Sequence, residues 1–193
     1  MKTAAVFLDE SAKRDFAKNS TTPEKVLERI MEIFTEINSL PFSYDLKRLK
    51  IQNWSHSRLR TVPSGHDNFN DVANSILEEA NSFFDRKTDV GIFFSGKVSL
   101  GYGATPDPLD PMGNGNGIML IGTKLDYVRL FSESYCFKLA RVGIHEQAHL
   151  YGIDHSGDPK SIMFRYTTDN LRFDPTSLKQ LKNKIGASHN SRH

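Results

Sequence analysis

At 193 residues, with 25 basic and 23 acidic side chains and a net charge of +2, the chain is long enough to bury a core and too evenly charged to carry a nucleic-acid footprint. Its single cysteine, Cys136, excludes an intramolecular disulfide framework and reads as a buried thiol. The apolar start meets Asp9 and Glu10 too early for a secretory leader, and no run approaches the ~20 residues of a membrane span. A soluble monomer is expected, without nucleic-acid or membrane partners, either cytoplasmic or secreted as a processed fragment.

In chain order, Ala4 to Leu8 fits a buried strand, and Asp9 to Ser20 a connector or irregular helix. Thr22 and Pro23 supply an N-cap and first-turn proline, after which Val26, Ile30, Ile33, Phe34 and Ile37 recur at helical spacing. Leu49 and Ile51 alternate with Lys50 and Gln52 as a half-exposed strand, and Ser55 to Gly65 reads as a surface loop. Phe69, Val72, Ala73, Ile76, Leu77, Ala80 and Phe83 restore the helical period, and Val90 to Phe94 is a continuous apolar strand. Strand and helix thus alternate, which predicts an α/β layer (α+β by some schemes) with parallel strands and helical crossovers.

From Gly101 to Gly117 the composition turns to Gly, Pro, Asp and Asn, which predicts a loop. Asp107, Asp110, Asn114 and Asn116 there carry oxygens of the kind calcium takes, but their spacing matches no defined calcium loop and favours turn formation. Gly117 to Ile121 resumes as a strand, either internal or at the sheet edge. A long helix then begins near Ser132 or Ser134 and runs to Tyr151. Arg165 to Phe173 lacks periodicity, Asp174 and Pro175 open a last helix through Leu178, Leu181 and Ile185, and Ala187 to His193 reads as frayed.

The chemistry concentrates in His145-Glu146-Gln147-Ala148-His149-Leu150-Tyr151-Gly152-Ile153-Asp154-His155. Residues four apart share a helix face, so His145 and His149 can aim their imidazoles at one point. Gly152 stands where the helix can end in a left-handed turn, returning His155 as a third ligand. Three protein ligands with a fourth position open describe a catalytic zinc, and Glu146 is placed to reach a water there without binding the metal. A closed structural zinc would need another ligand, typically a cysteine, and Cys136 lies more than two helical turns before His145. His56, His66, His189 and His193 lack motif spacing and read as surface or loop residues.

H-E-x-x-H-x-x-G-x-x-H, followed by Ser161-Ile162-Met163 eight residues after His155, resembles the metzincin signature. The resemblance implies a zincin fold: a twisted, mostly parallel sheet with an antiparallel edge strand, a long active-site helix, and a small C-terminal lobe with a terminal helix. It implies one catalytic domain over 1–193, divided near 152/153 into upper and lower lobes. Met163 matches the methionine turn beneath the metal, and Gly117, Ile118, Met119, Leu120 and Ile121 match the edge strand that pairs with substrate. The order of elements up to Phe94 is similar to the adamalysin or reprolysin branch, whereas Ser156 and the Asp174-Pro175 helix resemble matrixins. No propeptide with an inhibitory cysteine is recognisable. Tyr166 falls one residue later than the tyrosine some metzincins place near the metal, so it is left outside the catalytic set.

The function these residues imply is a zinc-dependent endopeptidase acting on a peptide or protein substrate, with Glu146 as base and proton shuttle. The alternatives are an aminopeptidase-type metallopeptidase, or a catalytically restricted zinc protein that uses its cleft as a peptide-binding module. An effector with one specialised target is a further reading.

Overall fold

The strand β1 (Ala4–Leu8) carries no polar side chain because it lies inside a sheet covered on both faces. Its neighbours are β2 (Lys50–Asn53) and β3 (Val90–Ser99), both parallel to it; β5 (Gly117–Lys124) runs parallel to β3, and β4 (Gly101–Pro106) closes the sheet antiparallel to β5. The computed structural model describes residues 1–56, 69–99, 101–110, 113–124, 134–166 and 170–190, the side chains of 69–71 and 188–190 excepted. Most of the expected Ser55–Gly65 loop, together with His66 and His193, falls outside the described residues.

Side chains alternate across the pleat. Ala4, Val6, Leu8, Ile92, Phe94, Met119 and Ile121 meet α1 (Glu10–Lys18), α2 (Pro23–Glu32) and α4 (Tyr135–Leu150) on one face. Ala5, Phe7, Phe93, Ile118 and Leu120 meet Trp54 and α3 (Phe69–Phe83) on the other. The mostly parallel sheet with an antiparallel edge is the expected architecture. On the first face, Ile153, Ile162, Met163 and Phe173 join the same apolar cluster, with Leu181 and Ile185 of α5 (Pro175–Asn190).

Four expectations need correction. Gly117–Ile121 is not an edge: β5 is paired on both sides, and the edge is β4, inside the segment expected to be loop. The six residues of β4 are a strand by virtue of their partner, in register from Gly101 opposite Gly122 to Pro106 opposite Gly117, with the proline at the strand end where no ladder donor is lost. Asp9 to Ser20 holds a regular helix, α1, because Asp9 caps it. His56 is not a surface residue but has a buried side chain facing Asp9, and α5 stays helical to Asn190 rather than fraying from Ala187.

Asp9 binds more than its helix. Its Oδ1 accepts from Ala12 N (2.6 Å) and Ser11 Oγ (2.6 Å), while Oδ2 accepts from Ser95 Oγ of β3 (2.5 Å) and faces His56 Nε2 (3.2 Å). Burial by itself raises the carboxyl pKa, but the bonds from His56, Ser11, Ser95 and Ala12 more than reverse that and hold it well below the carboxylate range. A carboxylate depressed in the folded state adds stability that is whole above its unfolded pKa near ~4 and is lost as pH falls through the native value. Asp9→Ala should therefore lower the unfolding free energy by about 2–4 kcal/mol at neutral pH. In urea melts run downward in pH, the gap to wild type should hold above about pH 5 and narrow below it; a gap that widens toward acid would contradict the assignment.

Candidate metal centre and cleft

The helix that carries the motif is fixed at both ends and along its sides. Ser134 caps α4 by accepting from Phe137 N at 3.3 Å. At the other end Gly152 turns left-handed at φ +72°, with Gly152 N bonded to His149 O (2.8 Å) and Ile153 N to Ala148 O (3.1 Å). A Cβ on Gly152 would meet no atom within 4 Å, so glycine is needed there for its backbone and not for space. At Gly143 the reverse holds, since a Cβ would stand 2.5 Å from Ile30 Cδ1 where α2 crosses α4. Within the motif, Gln147 is fully buried; its Oε1 accepts from Tyr44 OH (2.7 Å) and its Nε2 donates to Gly115 O (3.0 Å).

His145, His149 and His155 converge as their spacing predicts, with one ligand atom from each lying within 4.8 Å of the others. His145 Nε2 is 3.1 Å from His149 Nε2 and 3.3 Å from His155 Nε2. Both His145 and His149 turn Nδ1 to a main-chain carbonyl, Ile162 O and Ile153 O, each at 2.7 Å. Those carbonyls assign the ring proton to Nδ1 and leave Nε2 a bare lone pair. Burial, which outweighs the carbonyl bond, pushes His145 down to about 4 and lowers His149 as well, with the neighbouring imidazoles adding to the effect. Neutral imidazoles with lone pairs facing inward are the donor set a borderline-soft divalent cation takes, and the carbonyl behind each ring is its usual support.

The methionine turn supplies part of that support. Besides the Ile162 carbonyl, Met163 O accepts from Ser156 N at 2.8 Å, tying the residue after His155 to the turn. Met163 is fully buried. Ser161 Oγ accepts from Met163 N (3.1 Å) and donates to Asp174 Oδ2 (2.8 Å), and Asp174 also receives Thr176 N, Ser177 N and Ser177 Oγ as the cap of α5. The 171–173 segment closes over the turn, with Ile162 N bonded to Arg172 O (2.8 Å) and Asn38 Oδ1 accepting from Phe173 N (3.3 Å).

Glu146 opens onto the cleft that contains His145 and His155. Its side chain is all but buried, Tyr102 N–H of β4 donates to the carboxylate, and Oε2 has no partner among the described residues. Burial pushes its pKa well above the ordinary carboxylate value. Gly101, Tyr102 and Gly103 form one wall of the cleft, and none of Gly117–Ile121 reaches it. Ile162, Phe164, Arg165 and Tyr166 form another wall, where Tyr166 is largely exposed and stacks edge-on against Phe164 at 5.6 Å.

Residues outside the sequence reading also serve this site. Tyr102 and its strand gave no signal, since Gly-Tyr-Gly has neither alternation nor β-branching. Arg141 lines the cleft one helical turn before His145, a position that i,i+4 spacing could have flagged. The oxygens weighed for calcium are engaged within the loop and by its neighbours: Asp110 accepts from Asn114 N and Nδ2, Asp107 from Leu109 N and Arg86 Nε, and Asn116 Oδ1 from Lys2 Nζ.

The Matrixin family model matches residues 50–181. Archaemetzincin from Methanopyrus kandleri superposes with a TM-score of 0.54 over 95% of this chain and 96% of its own, at 11% identity, and so shares the fold. A zinc-dependent peptidase from Methanocorpusculum labreanum aligns at a TM-score of 0.47 and 12% identity over 92% of this chain and 99% of its own. No curated protein sequence matches the chain. The convergent histidines should hold one zinc ion per chain, measured by elemental analysis and by calorimetric titration of chelator-stripped protein. Replacing any one of the three by alanine should weaken zinc binding by at least ~100-fold and abolish the rise in Tm that zinc brings to the wild type.

Proposed function

The chain belongs to the matrixin family of zinc-dependent metallopeptidases, and from that premise we propose that it is an endopeptidase that cuts within extended peptides. In this reading His145, His149 and His155 hold the zinc, Glu146 is the general base, and Met163 forms the floor of the site. The whole chain serves as one catalytic domain, its lower part from about 153 onward joined to the upper by the shared apolar cluster. The observation that carries the proposal is the placement of β4, the last strand of the sheet among the described residues, directly beside Glu146 and His145, with Gly101–Gly103 in the cleft wall.

An edge strand presents every second N–H and C=O outward; on β4 the Tyr102 N–H is taken by Glu146, and the remaining outward groups let an extended substrate lie along β4 at little cost in sequence preference. That placement lays a peptide bond across the mouth of the metal site. Zinc supplies Lewis acidity there, lowering the pKa of water toward ~7 and polarising a carbonyl oxygen. Glu146, held from β4 by the Tyr102 N–H, keeps Oε2 free to take the proton from the attacking water. The same carboxyl then delivers that proton to the leaving nitrogen, which departs as an amine only once protonated. The carbonyls of Ile162 and Ile153 keep His145 and His149 from taking the proton at Nδ1 themselves.

Digestion of a peptide library read by mass spectrometry tests this reading. Zinc-loaded wild type should cut at internal bonds, chelated protein should not, and Glu146→Ala should lose roughly 10²- to 10⁴-fold in kcat. Release of N-terminal residues alone would make the enzyme an aminopeptidase. Peptide binding without hydrolysis would make it a recognition module.

A further inference from the structure

Helix α2 does not stop at its last regular turn. Residues Ile33–Ile37 continue it as a π-helical turn, Asn38 N bonds back to Ile33 O at 3.3 Å, and Ser39 then turns left-handed at φ +54°, a conformation that glycine adopts more cheaply than serine. Both departures flank Asn38, which is 4% exposed and reaches residues 133 and 135 positions further along the chain. Its Nδ2 donates to Leu171 O (3.2 Å) and Ile33 O (3.2 Å), and its Oδ1 accepts from Phe173 N (3.3 Å). These partners fix which way the carboxamide points, since a backbone N–H can meet only its oxygen and the two carbonyls only its amide. Arg172, between the two gripped residues, gives its carbonyl to Ile162 N instead (2.8 Å), and Ile162 O is the atom that accepts from His145 Nδ1 (2.7 Å).

We propose that Asn38 is a positioning residue for the metal site: by gripping the chain on both sides of Arg172 it holds the Arg172 carbonyl against Ile162 N, and through Ile162 it fixes the carbonyl that orients the His145 ring. The inference rests on the reading of His145 as a zinc ligand. A buried carboxamide adds little net stability over an apolar side chain of the same shape, but it defines one register. The 171–173 segment cannot slide along the end of α2 without leaving Leu171 O and Phe173 N unpaired, and Phe34 of the π-turn, its ring 6.2 Å from that of Phe173, meets the same segment from the apolar side. Support of this kind, behind the group that bonds a ligand, sets how well the ligand is aimed before any ion arrives. Ile162 also lines the cleft, so the same grip sets one wall of it.

Two measurements on the full chain test the role: zinc affinity by chelator competition, and exchange of the His145 Nδ1 proton by NMR of histidine-labelled protein. Asn38→Ala should raise the Kd for zinc by about 10- to 100-fold and speed exchange of the Nδ1 proton by at least about 10-fold. Asn38→Asp keeps an acceptor for Phe173 N but sets carboxylate oxygen against the carbonyls of Leu171 and Ile33, and should do the same. Asp9→Ala, whose lost bonds run to α1, β3 and His56, should leave both readouts near wild type at a comparable loss of Tm. Wild-type zinc affinity and ring-proton exchange in Asn38→Ala overturn the proposal, and so does an equal change in Asp9→Ala, which would make the effect one of global stability. If the Asn38 variants do not fold, the wild type decides. Its Phe173 N–H, Ile162 N–H and His145 Nδ1 protons should open with one common free energy, smaller than that of global unfolding, and a His145 proton that opens apart from Phe173 N–H, or only with the whole chain, overturns the role. Neither readout involves hydrolysis, so the endopeptidase reading stands or falls separately; if the wild type binds no zinc, the metal reading fails and exchange of the ring proton in the metal-free chain decides the role of Asn38 by itself.

Discussion

Three imidazoles brought together Nε2 to Nε2 do not stay together of their own accord. Nε2 atoms 3.1 and 3.3 Å apart repel unless a cation lies among them, so the surrounding fold must hold them there beforehand. Helix periodicity positions two rings, but periodicity leaves each free to rotate about its side-chain bonds. The carbonyls of Ile162 and Ile153 remove that freedom by accepting hydrogen bonds from the Nδ1–H groups, and the bond from Ser156 N to Met163 O holds the return of the chain that carries the third ring. Much of the binding free energy of a metal taken there would then be available to stabilise the folded chain, because the imidazoles are already ordered.

The active-site helix itself is held by polar groups buried where apolar ones would pack as well. Gln147 spends both ends of its amide on Tyr44 and the Gly115 carbonyl, and Lys2 bonds Asn114 O and Asn116 Oδ1 of that same loop at 2.7 Å each. Such bonds contribute modestly to stability but define one rotation and one height of the helix. A helix carrying His145, His149 and Glu146 needs that definition, since a small slide would move all three together. Gly143 serves the same end from the apolar side by letting Ile30 of α2 seat against the helix backbone.

Much of this was legible in the sequence, because the features concerned have a short repeat. The i,i+4 histidines, the glycine turn, Met163 and the proline-capped helices all depend on residues a few positions apart, and all lie where spacing put them. What escaped depends on distant partners. β4 is a strand only because β5 lies beside it, and its Gly-Tyr-Gly start has no pattern of its own, so sequence leaves Gly117–Ile121 open as internal or edge and gives no sign that the edge is β4. Asp9 and His56 are 47 positions apart and meet only after β1 and β2 pair. The carbonyl partners of the histidines are main-chain atoms and leave no trace in residue type. Nothing in the spacing of Lys138 and Arg141 marks them as buried, yet α4 is packed on nearly every side and buries them.

Asp174 joins two tasks in one carboxylate. It starts the terminal helix by accepting from Thr176 N and Ser177 N, and it grips Ser161 at the head of the turn whose Ile162 carbonyl holds His145 and whose Met163 carbonyl holds Ser156. Fraying at the start of α5 would free Ser161, loosen the Ile162 carbonyl and release the ring behind it. The last helix and the histidine cluster are therefore coupled, so that an ion bound by the histidines would also hold the helix.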